Sequence, residues 1–270
     1  MIDYLVIGHI TADLTPTGTL VGGTVAYSGR TAQVLGCDTA VLSSAAVGYD
    51  WQHALPGIQV EAIAAEYTST FENIYTENGR RQILHHVAAP ITQADVPSAW
   101  QRAAIVHLGP LTNEVDANVI DLFSNSLIGM TPQGWLRRWD DEGVVYARAW
   151  ELAEWTLPRA AAVILSYEDL LDEHMLEQYR QWSKLLVMTQ GPQGCTVFLG
   201  DEVRQIPAPS VIQVEPTGAG DIFAAAFLYR LYQTDGNPWE AARFANKVAA
   251  QSVTQVGLGA KLEAIKKVIT

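Results

Sequence analysis

The chain has 270 residues, of which 49% are hydrophobic and 17% charged, so it can bury a large core and is unlike a disordered segment. Its 17 Lys and Arg residues against 29 Asp and Glu give a formal net charge of -12, which excludes the basic surplus of a general nucleic-acid-binding protein. The two cysteines, Cys37 and Cys195, lack metal-ligand companions at useful spacing, which predicts reduced thiols. No basic signal-peptide region and no membrane-length apolar run occur in the sequence, so we expect a cytoplasmic protein.

The first predicted strand covers residues 5–8, a short apolar run that ends in glycine, as expected for a central parallel strand. Asp13 follows five residues after Gly8, near the end of the strand where open α/β sheets bind ligands. By position alone, Asp13 is either a ligand of substrate hydroxyls or an ordinary turn aspartate.

The next predicted helix opens with the pair Gly22-Gly23 and closes at Gly36. Glycines at its start let a ligand approach the backbone closely. A second strand is predicted over residues 39–44, followed by a helix that begins at residues 47–50.

Residues 68–87 alternate between two faces, a period of two that predicts strands in a chain that is otherwise α/β. Residues 77–80 are interpreted as a hairpin turn and residues 82–87 as the return strand. Such a ribbon is either a lid over a substrate site or a β-excursion without a catalytic part. If the ribbon is a lid, either the face that contains Ser69, Phe71, Asn73 and Tyr75 or the opposite face is expected to meet substrate.

Further buried strands, each followed by a turn, are predicted over residues 104–110, 127–131, 161–166 and 185–189. Gln133 and Arg137 follow the second of these strands, either as ligands of substrate or phosphate or as members of a solvated loop. Helices are predicted over residues 116–123, 171–182, 239–256 and 262–269, with a short strand over residues 202–207.

Residues 214–221 read Val-Glu-Pro-Thr-Gly-Ala-Gly-Asp and lead into an Ala-rich helix. Small residues at a helix start leave N–H groups uncovered at the positive end of the helix dipole, which predicts an anion site. Asp221 in the same turn fits a base that accepts a proton from a hydroxyl attacking a phosphoryl group. The alternative is an ordinary capped helix whose glycines serve close packing.

This motif resembles the C-terminal signature of the ribokinase-like, or PfkB, carbohydrate kinases, and other segments resemble that family in the same order. The resemblance implies a doubly wound αβα sandwich in a single domain, residues 1–270, with a small β-sheet lid from about residues 9–21 and 66–90. It implies a cytoplasmic enzyme that uses ATP and Mg²⁺ to phosphorylate a hydroxyl of a small sugar or polyol. A homodimer formed through the lid is a further hypothesis.

By this resemblance Asp221 is the catalytic base, and the backbone of Gly218, Ala219 and Gly220 holds the transferred group. The substrate ligands expected from resemblance or position are Asp13, Gly22, Gly23, Tyr27, Asn73, Gln133 and Arg137. The nucleotide contacts expected are Thr189, Gly191, Gly194, Thr217, Asn246 and Gly259. Ser166 and Asp169 stand where the family has Asn-x-x-Glu, which supports magnesium through waters.

Several positions depart from the family pattern. Tyr27 stands where the ribokinase branch has Asn, which argues against a ribose-type substrate, and Glu215 replaces the first acidic residue of the motif. Two alternatives to a sugar or polyol kinase therefore stay open: a nucleoside kinase of the same fold, and a ligand-binding or regulatory protein that has lost turnover. A dinucleotide oxidoreductase is set aside, because residues 9–14 contain no glycine of the Gly-x-Gly-x-x-Gly pattern.

Overall fold

The structure is a computed structural model that describes residues 1–16, 18–76 and 79–269. Its strands are β1 (Tyr4–Ile7), β2 (Thr11–Thr15), β3 (Gly18–Gly22), β4 (Thr39–Ala46), β5 (Gln59–Ala65), β6 (Ser69–Thr76), β7 (Gly79–His86), β8 (Ile105–Leu108), β9 (Leu127–Met130), β10 (Arg137–Trp139), β11 (Val145–Ala147), β12 (Ala162–Ser166), β13 (Leu186–Thr189), β14 (Cys195–Leu199) and β15 (Glu202–Ile206). Its α-helices are α1 (Thr24–Val34), α2 (Ala153–Thr156), α3 (Glu173–Trp182), α4 (Ala219–Gln233), α5 (Pro238–Ser252) and α6 (Leu258–Ile269). Short 3₁₀ helices include Gln52–Ala54, Ala117–Leu122, Pro132–Gly134, Tyr167–Asp169 and Gly191–Gln193.

Within the described ranges, nine strands form one sheet in the order β15-β14-β13-β12-β9-β8-β1-β4-β5. Its pairs are parallel from β5 to β13, and β14 and β15 add an antiparallel edge. Strand β1 shows how the sheet is covered, because its four residues are buried and alternate between two cores. Tyr4 and Val6 pack with residues of α1, α4, α5 and α6, whereas Leu5 and Ile7 pack on the opposite face with residues of α2 and α3. The expected doubly wound α/β sandwich is therefore confirmed.

The strand order reverses at the neighbours β1 and β8, since the chain continues from β1 to β4 and β5 on one side and from β8 to β9 and β12 on the other. Such a switch point opens a crevice at the carboxyl ends of the strands. The backbones come very close there: a Cβ on Gly8 would lie 2.3 Å from the carbonyl oxygen of Gly109. The sequence therefore needs glycine at the end of the first strand for packing.

A second sheet of four strands, in the order β3-β2-β6-β7, lies over this crevice. Its strand β7 is joined by the hairpin of β10 and β11, because the Leu84 N–H donates to the Gly143 carbonyl at 2.8 Å. Glu77 and Asn78 of the expected hairpin turn lie outside the described residues. The division of the chain into one domain with a lid, and a homodimer through that lid, stay predictions.

The helix expected to begin at residues 47–50 is wrong. Only the 3₁₀ turn Gln52–Ala54 forms there, and Gly48 adopts a left-handed φ of 84°, which ends any helical run. The strand β5 follows instead and pairs with β4 at the edge of the sheet. Other boundaries also move: the expected helix at 116–123 is the 3₁₀ helix Ala117–Leu122, and the helix expected from residue 171 begins at Glu173. The helices expected over residues 239–256 and 262–269 are Pro238–Ser252 and Leu258–Ile269.

In the described part of the chain, no helix combines the length and the apolar character needed to cross a membrane.

Candidate active site

A cavity of about 480 Å³ lies between the two sheets. One end is lined by Asp13 of β2 and by Phe71, Asn73 and Gln82 of β6 and β7, and we call it the acceptor end. The other end is lined by residues that follow β13 and β15 and by residues of α5, and we call it the donor end. The start of helix α4, with Asp221, lines the same cavity, so residues more than 200 positions apart in the sequence share one site.

The loop before α4 is pressed against helix α1. Gly218 is the N-cap of α4 and has a left-handed φ of 75°, and a Cβ there would lie 2.1 Å from the ring of Tyr27. Tyr27, expected to bind substrate, is only 8% exposed, and it both lines the cavity and supports this loop. Glycine at position 218 is therefore required twice, for backbone conformation and for space.

Two further residues of α1 hold Asp221 in place, and sequence reasoning missed both. The Ser28 hydroxyl donates to the backbone carbonyl of Asp221 at 2.9 Å, and the Thr24 side chain bonds the Asp221 carboxylate. Thr24 and Ser28 are four positions apart and therefore share one face of the helix. That spacing, directly after the Gly22-Gly23 pair, is the sequence signal that could have identified them.

Near the helix start, where the anion site is expected, two N–H groups already donate to backbone carbonyls. The Ala219 N–H donates to the Pro216 carbonyl at 3.0 Å, and the Ile222 N–H donates to the Gly218 carbonyl at 2.9 Å. The N–H groups of Gly220 and Asp221 have no backbone acceptor among the described residues. These two groups at the positive end of α4 are thus the ones available to an anion.

The Asp221 carboxyl is less acidic than usual. Burial raises its pKa from 3.8 to about 6, although the hydrogen bond from Thr24 and the charge of Arg137 act in the opposite direction. The charges of Asp13 and Asp169 raise the pKa further. A carboxylate whose pKa lies nearer to neutrality is a better proton acceptor at physiological pH than an exposed aspartate.

At the acceptor end, Asp13 is held by its own strand. The Thr11 hydroxyl donates to Asp13 Oδ1 at 2.8 Å, and burial raises the pKa of Asp13. Gly22 on the neighbouring β3 leaves the space that this carboxylate occupies, because a Cβ there would lie 2.2 Å from Asp13 Oδ2. Gly23 caps α1 and lines the cavity. The glycine pair and Asp13 are thus one local arrangement.

The rest of the acceptor end carries amides and one guanidinium. The Gln82 amide, which sequence reasoning missed, donates to Asn73 Oδ1 at 3.0 Å, and Phe71 lies beside this pair. Ser69 of the same expected face is instead fully buried, 2.7 Å from His9 Nδ1. The Tyr75 side chain lies outside the described residues. Gln133 and Arg137 line the same cavity.

Ser166 and Asp169, the expected metal-supporting pair, cap the same short turn. The Ser166 N–H donates to Asp169 Oδ2 at 3.0 Å, and the Gln133 amide donates to Asp169 Oδ1 at 3.1 Å. Both residues and Glu168 line the cavity. Among the described residues no group of three or more His, Cys, Asp or Glu side chains could hold a metal by itself. Magnesium commonly keeps its waters and takes only one or two protein carboxylates, so Asp169 and Glu168 fit such an ion.

At the donor end, the expected residues Thr189, Gly191, Gly194 and Thr217 line the cavity. Asn246 also lines it, but its side-chain amide donates to the backbone carbonyl of Ile206 at 2.8 Å and is buried. Gly259, in the first turn of α6, is absent from the described residues that line the cavity.

Comparisons with known proteins agree with this geometry. The sequence model described as pfkB family carbohydrate kinase matches residues 158–265. A cytidine kinase of Thermococcus kodakarensis is 27% identical over 252 residues, which cover 84% of this chain and 88% of that protein. An inositol 3-kinase of Oryza sativa subsp. japonica is 29% identical over 283 residues, which cover 93% of this chain and 68% of that protein.

Among solved structures, a pyrophosphate-dependent kinase in the ribokinase family, complexed with a pyrophosphate analogue and myo-inositol, matches with a TM-score of 0.81. It is 23% identical, and the match covers 97% of this chain and 99% of that one. The fold is therefore the ribokinase fold. The C-terminal part of the chain, residues 158–265, matches the pfkB family of carbohydrate kinases, which agrees with the resemblance of its motifs.

The two glycines of the α4 loop should respond differently to a methyl group. Gly218→Ala should destabilise the protein by about 2 kcal/mol or more, because it adds backbone strain and a clash with Tyr27. Gly220→Ala should leave the melting temperature unchanged or higher, since its Cβ would meet no atom within 4 Å. Thermal denaturation of both variants checks this pair, and equal melting temperatures would contradict the packing described here.

The raised pKa of Asp221 predicts a stability that depends on pH. With a folded-state pKa of about 6 against 3.8, the folded protein binds the proton more tightly, so stability falls as pH rises through this window. Asp221→Asn cannot ionise, so its melting temperature should match the wild type near pH 4 and exceed it above about pH 6. Asp201→Asn, at an exposed turn, is the matched control and should show no such gap. A gap that is constant with pH would refute the assignment.

Proposed function

We propose that the protein is an ATP-dependent kinase that phosphorylates a hydroxyl group of a small sugar or polyol. The observation that carries this proposal is the place of Asp221. Its carboxylate and the free N–H groups of Gly220 and Asp221 line the cavity that extends from the acceptor end to the donor end. A proton acceptor and an anion site in one turn are what phosphoryl transfer to an alcohol requires.

The charges of the cavity favour an uncharged acceptor rich in hydroxyl groups. Its described lining contains four carboxylates, of Asp13, Glu168, Asp169 and Asp221, against the single guanidinium of Arg137. An acceptor that already carries a phosphate or carboxylate would be repelled by this excess. Carboxylates, by contrast, accept hydrogen bonds from hydroxyl groups, and side-chain amides both donate hydrogen bonds to them and accept hydrogen bonds from them. The inositol 3-kinase and the myo-inositol-bound kinase among the similar proteins support the same class of acceptor.

The donor end favours a nucleotide. Beyond the glycine turn it is lined mainly by small apolar side chains, those of Ala208, Pro209, Val211, Ala249, Ala250 and Val253. Such a slot suits the flat face of a nucleobase, whereas pyrophosphate alone would call for cations. Apart from Arg137, no Lys or Arg side chain occurs among the described lining residues. Pyrophosphate, the donor of the similar solved kinase, is the competing hypothesis.

In the proposed reaction, Asp13 and the amides of Asn73 and Gln82 orient the acceptor so that one hydroxyl faces Asp221. The Asp221 carboxylate accepts the hydroxyl proton as the oxygen attacks the terminal phosphorus of ATP, and ADP leaves. The Gly220 and Asp221 N–H groups stabilise the charge on the transferred phosphoryl oxygens. When bound, Mg²⁺ would neutralise charge on the donor phosphates, held through waters by Asp169 and Glu168.

Two alternatives keep specific support. The cytidine kinase relative makes a nucleoside kinase of the same fold the first of them. A ligand-binding or regulatory protein without turnover is the second, because Ser166 and Asp169 replace the longer Asn and Glu of the family pattern.

A panel of acceptors and donors separates these functions. We expect product formation with myo-inositol or a hexose and Mg-ATP, and little with cytidine or adenosine. Purified protein is incubated with each acceptor and either ATP or pyrophosphate, and phosphorylated product is measured directly by mass spectrometry. Turnover confined to nucleosides would establish the first alternative, turnover with pyrophosphate alone would correct the donor, and saturable binding without turnover would establish the second alternative.

On a confirmed acceptor, Asp221→Asn should lower kcat on the order of 10²–10⁴-fold, because it keeps the side-chain size but removes the proton acceptor. Nucleotide affinity should stay nearly intact. Asp13→Ala should act mainly on the acceptor KM, since its hydrogen bonds exist before and during the reaction. Steady-state kinetics with Asp201→Asn as the exposed control check both effects, and a wild-type kcat for Asp221→Asn would exclude the proposed mechanism.

A further inference from the structure

A lysine is completely buried beside the donor end. Lys261, in the first turn of α6, has an exposed fraction of 0%, and its Nζ donates to the backbone carbonyl of Glu215 at 2.6 Å. The same Nζ lies 3.4 Å from Glu215 Oε2. Lysine is almost never fully buried without such partners. Both partners belong to one residue, which immediately precedes Pro216 and the α4 loop.

The same stretch is fixed by three further hydrogen bonds. The Glu215 carboxylate also accepts the Gly257 N–H at 2.7 Å. The N–H groups of Val214 and Glu215 both donate to the carbonyl of Val253, at 2.7 and 3.1 Å. The segment that connects α5 to α6 therefore holds residues 214–215 through the backbone as well as through Lys261.

The position of this ammonium is not explained by stability alone. Burial removes it from water and lowers the pKa of Lys261, although Glu215 opposes that shift. It also lies in the first turn of a helix, where the dipole disfavours a positive charge. A buried ion pair of this kind often contributes less to folding than an apolar pair of similar size. The role of the Lys261 ammonium must then lie in the geometry that it imposes on its hydrogen-bond partners.

The geometry in question is that of the loop leading to Asp221. Pro216 has no N–H and a fixed φ, so the Glu215 carbonyl is the anchor that precedes it. The Pro216 carbonyl in turn accepts the Ala219 N–H at the start of α4. A shift of the Glu215 carbonyl is therefore passed to the turn that presents the free N–H groups of Gly220 and Asp221.

We propose that Lys261 is a positioning residue whose ammonium acts as an internal cation, fixing the Glu215 carbonyl and thereby the phosphate-binding turn at Gly220 and Asp221. The consequence for kcat rests on the proposed kinase function. The consequence for anion binding does not, and it can be measured without any acceptor.

The test uses Lys261→Ala, with tripolyphosphate as the anion probe in calorimetry. Affinity for tripolyphosphate and kcat should both fall roughly 10- to 100-fold, while the acceptor KM changes little. Ammonium or methylammonium chloride should restore part of the loss by occupying the vacated position. Tetramethylammonium chloride at equal ionic strength should not, because the ion cannot donate a hydrogen bond. A merely structural lysine would not give this pattern of rescue.

Lys247→Met is the matched control, because exposed Lys247 also donates to a backbone carbonyl, that of Val268, and joins α5 to α6 away from the cavity. It should keep wild-type affinity. Equal affinities for the two variants, a loss without ammonium rescue, or a wild-type chain that binds no tripolyphosphate would each overturn the inference. If Lys261→Ala does not fold, Lys261→Met decides, because it fills the buried space but cannot donate to the Glu215 carbonyl, and unchanged affinity there would overturn the inference too. Normal anion binding without turnover would count against the proposed kinase alone.

Discussion

The contact between Gly218 and the ring of Tyr27 is the constraint on which the site depends. It brings the start of α4 against α1, so that Thr24 and Ser28 reach the Asp221 side chain and backbone. Any side chain at position 218 would separate the two helices. The small residues of the motif thus serve close packing as well as ligand approach, and the two interpretations of a Gly-Ala-Gly helix start are not exclusive.

A second constraint is electrostatic. Desolvation of Asp13 and Asp221 at one cavity disfavours their charged forms, and the raised pKa of each carboxyl group is the sign of that cost. Arg137, only 9% exposed, opposes it for Asp221. The hydrogen bond from Thr24 and the charge of Arg137 both limit the rise in the pKa of Asp221. Charged groups that are desolvated in this way reduce the stability of the folded protein, a cost that functional sites commonly carry.

The structural features that could be predicted from the sequence are those that depend on a short stretch of residues. Buried strands such as β1 and β12 read as apolar runs, and the residues of the α4 motif correctly predicted a helix start with Asp221 in its first turn. The edge strand β5 was missed because its alternating, partly exposed residues follow a Gly48 turn that resembled a helix start. Gln82 was missed because it enters the site only through its pairing with Asn73. Such contacts depend on the register in which two strands pair, and this register cannot be deduced from a single sequence.

Glu215 departs from the family pattern, but it still anchors the chain ahead of Pro216. Its carboxylate accepts the Gly257 N–H and pairs with Lys261, while the same ammonium binds its carbonyl. Acid and cation thus depend on each other, and the motif keeps an anchored carbonyl ahead of Pro216. The substitution therefore gives no support to loss of turnover. The shortened Ser166 and Asp169 pair is different, because its carboxylate already accepts the Ser166 N–H and the Gln133 amide. Between the two departures, only this pair bears on whether the site turns over, since only its carboxylate lines the cavity.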